Sequence, residues 1–250
     1  MSLIQVKDIN NIRVITINRP EKKNAINFEM YDLLTQALQS GEQDLSINTF
    51  VLQGQIDCFT SGNDLTDFLS HSQKENAQID QHHPAFNFLF TLLDLTKPII
   101  AAVTGLAIGI GTTILLHCDL IYSGPNTQFQ LPFVKLSLSP EAGASQLLPQ
   151  IVGQTRANEL LMLGEPFSAQ QALDDGLINK IIETELVFQF AFTQAEKLAS
   201  QPQIALAATK QLIKYNKEEI REQMKKELII FDRLLKSKEA KEIFAKFLRH

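Results

Sequence analysis

Apolar and polar positions alternate along residues 3–8 and again along 12–18, with Asn10-Asn11 between the two runs. A period of two on either side of an Asn pair predicts a β-hairpin. The rhythm changes after the polar turn Arg19-Pro20-Glu21-Lys22-Lys23-Asn24. Met30, Leu33, Leu34, Ala37 and Leu38 then recur at helical spacing. Asn27 stands where an N-cap belongs, so a helix is predicted from there to about Gln39. Residues 49–54 read as the next strand. The stretch F-T-S-G-N-D at 59–64 is a backbone-permissive turn, and 64–69 opens a helix. Residues 71–83 are Gln-rich and show no period, which predicts a mobile loop with His82-His83 exposed.

Residues 84–96 read as a helix. They lead into the apolar run 99–103, which fits a buried strand and is far too short for a membrane span. Gly105, Gly109 and Gly111 follow, and a helix starts near Thr112. Short strands are predicted at 119–123, 127–131 and 177–182, and helices at about 140–151, 155–163 and 169–174. From 185 onward only helices are expected, over roughly 185–200, 203–214, 217–236 and 238–248. Leu228, Phe231, Leu234 and Leu235 mark one apolar face there, and the Lys/Glu-rich faces read as solvated. The pattern divides into an α/β core over 1–183 and a helical C-terminal region over 184–250.

A chain of 250 residues that is 44% hydrophobic is long enough for one full core with an appendage. Its net charge of −5, with no basic stripe, argues against a nucleic-acid partner. No run approaches the roughly 18 apolar residues of a membrane span, so no membrane partner is expected. Cys58 and Cys118 stand in unrelated contexts and are expected as reduced, buried thiols. The opening M-S-L-I-Q-V-K-D has no secretion signal, and Leu248-Arg249-His250 is no peroxisomal address. The cytoplasm is the expected compartment.

Glycines at a strand-to-helix junction let a ligand approach the backbone, where the first helical N–H groups have no intrahelical partner. The spacing at 105–111 is G-x-x-x-G-x-G, which is not a dinucleotide fingerprint, and no G-K-[ST] follows. The turns at 59–64 and 105–112 each follow a predicted strand. If those strands share a sheet, two N–H groups can converge on one carbonyl oxygen. Spacing alone favours two ordinary turns. Glu141 lies among Leu131, Phe133, Leu136, Leu138 and Leu147. A carboxylate in such surroundings has a raised pKa and can shuttle a proton, although a first-turn Glu that complements the helix dipole is the commoner case. The five histidines show no ligand spacing, no metal site is expected, and His117 reads as a satisfied core histidine.

Taken together, the motifs resemble the crotonase (enoyl-CoA hydratase/isomerase) superfamily over nearly the whole chain. They are R-P-E-K-K-N-A-I at 19–26, F-T-S-G-N-D-L at 59–65, K-P-I-I-A-A-V-T-G-L-A-I-G-I-G at 97–111, C-D-L-I-Y at 118–122 and S-P-E-A-G-A-S at 139–145. The resemblance implies a crotonase-like spiral of ββα units, a C-terminal helical trimerisation region, and trimers or dimers of trimers. It implies an acyl-CoA thioester substrate and no separate cofactor, CoA being part of that substrate. It assigns the oxyanion donors to the N–H groups of Ser61 and Ile110. CoA contacts fall to Lys22, Lys23 and the loop of Gly62, Asn63, Asp64 and Leu65, with Gly109 and Phe133 at the substrate. Phe247 matches a family aromatic near the acyl group.

Hydratases of the superfamily carry two carboxylates, at the positions that hold Thr113 and Phe133 in this sequence. The S-G-N-D-L and S-P-E-A-G-A-S stretches look like peroxisomal-type Δ3,Δ2-enoyl-CoA isomerases, whose single catalytic Glu matches Glu141. That resemblance implies an isomerase of fatty-acid oxidation. A hydratase or another CoA-thioester enzyme is the rival reaction. A non-catalytic acyl-CoA binder is the rival of a different class, and it predicts a Glu141 that points to solvent.

Overall fold

A computed structural model describes residues 2–72, 80, 82–214 and 216–247, without the side chains of 71, 72 and 247. Most of the expected loop at 71–83, and the side chain of Phe247, therefore lie outside the described residues. The strands are β1 (Ile4–Ile9), β2 (Ile12–Ile17), β3 (Thr49–Gln53), β4 (Cys58–Thr60), β5 (Ile99–Val103), β6 (Leu106–Ile108), β7 (Leu120–Ser123), β8 (Gln128–Gln130), β9 (Phe167–Ser168) and β10 (Lys180–Ile181). The helices are α1 (Phe28–Gln43), α2 (Leu65–Ser72), α3 (Pro84–Asp94), α4 (Ile110–Thr113), α5 (Ala144–Val152), α6 (Gln154–Leu163), α7 (Ala169–Asp174), α8 (Val187–Ala199), α9 (Gln203–Ile213), α10 (Lys217–Leu235) and α11 (Lys238–Phe247).

The hairpin forms as expected, with Asn10 and Asn11 both at positive φ, the conformation that a two-residue turn needs to follow the strand twist. Asn27 caps α1 by accepting the Met30 N–H at 2.9 Å. The helix runs on to Gln43, past the expected end, because Gly41 lets it pass close to the Phe50 ring. The helix expected from Thr112 is instead the short α4 and a 3-10 turn, Ile114–His117. Of the expected strand 177–182, Lys180–Ile181 is paired.

Two sheets organise the chain. The larger has the order β1-β2-β3-β5-β7-β10, antiparallel at β1/β2 and parallel from β2 onward. The smaller has the order β4-β6-β8-β9, parallel until β8/β9. The successive pairs β3–β4, β5–β6 and β7–β8 each step from the larger sheet to the smaller. This is the ββα spiral of an α/β fold, followed by a helical C-terminal region. The run 99–103 is apolar throughout because both faces of β5 are covered. Ile99, Ala101 and Val103 face the main core, whereas Ile100 and Ala102 meet Val187, Ala191 and Ala195 of α8. On the other side, α10 packs on α2, α3 and α5. His82 is exposed as expected, but His83 is buried. It precedes Pro84 at the start of α3, and its ring packs on Phe28 and Phe68.

Candidate active site

The turns after β4 and β6 lie side by side, because these two strands pair in parallel in the smaller sheet. Gly62 takes φ +104°, and a Cβ there would stand 2.9 Å from the Ile108 carbonyl oxygen. Conformation and contact both demand glycine at this point. Beside the turns is a cavity of about 220 Å³. Ser61, Gly62, Asn63, Leu65, Gly109, Ile110 and Phe133 line it, so most of the sequence-predicted residues come together, and Leu138 and Phe231 complete its apolar wall. A larger cavity between residues 125–128 and 166–171 has no ionisable side chain in its lining.

Which N–H groups are available follows from accounting for each one in the turns. Ser61 N–H donates to the Lys23 carbonyl at 3.0 Å. Gly62 N–H donates to Thr60 Oγ1 at 3.0 Å, and Asp64 N–H to the Ile26 carbonyl at 2.9 Å. Asn63 forms an isolated parallel bridge with Ile26, in which Ile26 N–H donates to the Gly62 carbonyl. The alternation of such a ladder turns the Asn63 N–H away from Ile26. It meets no acceptor among the described residues. Neither does the N–H of Ile110, the first residue of α4. The expected donor Ser61 is therefore corrected: its N–H is committed to Lys23, and the group left free beside Ile110 belongs to Asn63. The Asn63 carboxamide oxygen in turn accepts a hydrogen bond from Tyr31 Oη of α1.

Glu141 is not a first-turn helical residue. It precedes α5 in a turn where Ala142 and Gly143 both have positive φ. It is 3% exposed, and Thr113 Oγ1 of α4 donates to its Oε1. Thr113 shares α4 with Ile110, so the short helix connects the free N–H to the carboxylate. Burial pushes the Glu141 pKa up to about 8; the Thr113 hydrogen bond opposes the rise and the charge of Glu227 adds to it. Burial holds the Tyr31 hydroxyl well above its ordinary pKa, and the Glu141 charge raises it further. His117 is the expected core histidine. Its Nε2 donates to the Ala142 carbonyl at 2.7 Å, and burial lowers its pKa to about 4.

Lys22 and Lys23 are exposed on a 3-10 turn that Ser61 N–H fastens to the cavity. Asn24, next to them, is buried and donates to the carbonyls of Cys58 and Phe59, both in β4. Asp64 does not line the cavity. Its carboxylate lies 2.7 Å from Arg19 Nη1; burial raises its pKa, and the Arg19 and Thr66 contacts outweigh that and hold it below the usual value. Asp67 accepts the Phe28 N–H at 3.0 Å. Tyr31 and Thr113 enter the site without any signal in sequence spacing.

The sequence model of the enoyl-CoA hydratase/isomerase family matches residues 7–250. The chain is 35% identical to enoyl-CoA delta isomerase 2 of Rattus norvegicus over 217 residues, 86% of this chain and 55% of that protein. It is 32% identical to 2,3-dehydroadipyl-CoA hydratase of Escherichia coli K12 over 223 residues, 87% of this chain and 84% of that one. The chain thus spans about half the length of the rat protein. An enoyl-CoA hydratase/isomerase structure from Pseudoalteromonas atlantica T6c superposes with a TM-score of 0.92 at 38% identity, covering 99% of this chain and 97% of that one. With the sheet spiral superposed and nearly the full sequence aligned, the chain belongs to the enoyl-CoA hydratase/isomerase, or crotonase, superfamily.

Proposed function

We propose that this protein is a Δ3,Δ2-enoyl-CoA isomerase acting in fatty-acid oxidation. The observation that carries the reading is Glu141: a buried carboxylate that accepts a hydrogen bond from Thr113, which itself stands where the family's hydratases hold one of their two carboxylates. The thioester oxygen of a 3-enoyl-CoA is held by the N–H groups of Asn63 and Ile110, which stabilise the charge of the dienolate. Glu141 takes a proton from C2 and returns it to C4, so one base serves both transfers. A base with a pKa near 8 is matched to a weakly acidic C–H at neutral pH. Lys22 and Lys23, next to the Ser61 turn, contact the anionic part of CoA.

Hydration asks for more. A water must be placed beside C3 and a proton delivered to C2. Thr113 is no base near neutral pH, and Phe133 gives no proton and fills space in the cavity wall. Asp64 and Asp67 are committed to Arg19 and to the Phe28 N–H. A solvent-facing Glu141, the mark of a mere binder, is not found. The test offers 3-enoyl-CoA and 2-enoyl-CoA separately to one preparation. Isomerisation should be much the faster reaction. Faster hydration sinks the isomerase reading and leaves the superfamily assignment standing.

The same reading includes a homotrimer or dimer of trimers in the cytoplasm. Exposed apolar side chains on α9 support self-association, and two buried, unpaired cysteines suit a reducing compartment. Among the described residues, no helix is long and apolar enough to cross a membrane.

A further inference from the structure

We propose that Glu227, on α10, is a positioning residue that fixes the turn carrying Glu141. The inference rests on the reading of Glu141 as the base. That turn needs fixing. Ala142 has φ +61° and Gly143 φ +72°, and a left-handed conformation at a residue with a Cβ persists only where its surroundings determine it. Glu227 is 4% exposed. Its Oε2 accepts the Gly143 N–H at 2.6 Å. Its Oε1 accepts the Ser145 N–H at 2.9 Å and the Ser145 hydroxyl at 2.5 Å. Gln223, one turn earlier on α10, donates to Ser145 Oγ at 2.8 Å. His117 holds the Ala142 carbonyl from the other side.

Burial raises the Glu227 pKa, and the hydrogen bonds from Ser145 and Gly143 oppose that rise by favouring the ionised carboxylate. The N–H groups it accepts lie at the start of α5, where unpaired donors favour an anion. Glu227 fills that role, and Glu141 is left free of it. The division of labour has an electrostatic side. The groups that interact with Glu141 are Thr113 of α4, Tyr31 of α1 and Glu227, while the neutral His117 is bound to the neighbouring Ala142 carbonyl. Glu227 is the one whose negative charge favours the protonated form of the base. Phe231, one turn further along α10, lines the cavity, so this helix supplies both the buttress and part of the wall.

The test is Glu227→Gln in the full chain, read in two ways. The first is the titration of Glu141, followed by 13C NMR in protein labelled at the glutamate carboxyls and assigned with Glu141→Gln. The second is the pH dependence of 3-enoyl-CoA isomerisation. Expected are a kcat loss of about 10- to 100-fold with KM little changed, the cost of a slightly misplaced base. The Glu141 titration, and with it the rising limb of the pH profile, should move to lower pH. A fall in kcat with the titration unmoved marks a merely structural contact and overturns the proposal, as does an unchanged kcat. If the parent protein fails to isomerise 3-enoyl-CoA, the reading of function fails, and the NMR titration still decides whether Glu227 acts on Glu141. If Glu227→Gln does not fold, Ser145→Ala takes its place. Losing one of the three bonds should lower kcat about two- to fivefold at constant KM, and a parental kcat overturns the proposal.

Discussion

The Ser61 N–H donates to the carbonyl oxygen of Lys23 at 3.0 Å. This bond fastens the lysine turn to the end of β4 and leaves the Asn63 N–H as the free donor beside Ile110. Ser61→Ala keeps the bond and removes a hydroxyl with one long contact, 3.5 Å to the Lys22 carbonyl. Its kcat should stay within about twofold of the parent, since no well-formed hydrogen bond is lost. In a complex with an unreactive acyl-CoA, the thioester oxygen should lie roughly 2.7–3.1 Å from the nitrogens of both Asn63 and Ile110. An oxygen seated on Ser61 N instead would refute the assignment.

Glu141→Gln should fold and lose a factor on the order of 10²–10⁴ in isomerase turnover. The glutamine can still accept the Thr113 hydrogen bond, so the loss reports the missing base. Near-parental turnover in steady-state assays would remove Glu141 from the mechanism.

The same variant should be more stable than the parent at alkaline pH. The folded pKa of Glu141 is raised from 4.5 to about 8. Between those values the folded protein holds a proton that the unfolded chain releases. The stability this proton provides is complete below the unfolded pKa and is lost as pH rises through the folded one. Urea unfolding should therefore show little difference between parent and variant near pH 4. It should show an advantage for the variant, on the order of a few kcal/mol, near pH 9. An advantage that does not grow with pH would mean that Glu141 titrates normally.

Elements with enough residues to show a period were legible in the sequence. The hairpin follows from a period of two, α1 from helical spacing, and the doubly covered β5 from an unbroken apolar run. The three-residue strands β4 and β6 read as turns, because so short a segment carries no period and its pairing is set by distant partners. The motifs located Glu141 and Ile110 by resemblance. The shift from Ser61 to Asn63 depends on the bridge to Ile26, and that register is invisible in spacing. Glu227 sits in a Lys/Glu-rich helix face that reads as solvated. It is buried because α10 folds back onto a turn 84 residues earlier in the chain.

α9 should be an interface between copies. Ile204 is 90% exposed and Leu212 77% exposed. Leaving such side chains in water forgoes about 1.5–3 kcal/mol each. In light scattering the parent should run as a trimer or hexamer. Ile204→Lys with Leu212→Lys should shift it toward monomer while the circular dichroism stays helical. A parent that is monomeric at micromolar concentration would refute the proposed assembly.

Thr113→Val tests how the base is tuned. The substitution keeps the branched shape and removes the hydroxyl that donates to Glu141. That hydrogen bond stabilises the ionised carboxylate and so opposes the effect of burial. Without it the proton is held more tightly, and less of the base is ionised at neutral pH. Hydrogen bonds to charged groups are worth more than about 1.4 kcal/mol, so kcat/KM at pH 7 should fall about tenfold. The rising limb of the pH profile should move upward, the reverse of the shift expected for Glu227→Gln. At pH values above that limb the variant should recover much of the parent's rate, because the carboxylate is then ionised in both. If Thr113 served to orient Glu141 rather than to tune it, the plateau would fall and the limb would stay in place. Kinetics from pH 6 to 10 separate the two outcomes, and an unmoved limb would show that the hydroxyl does not set the proton affinity of the base.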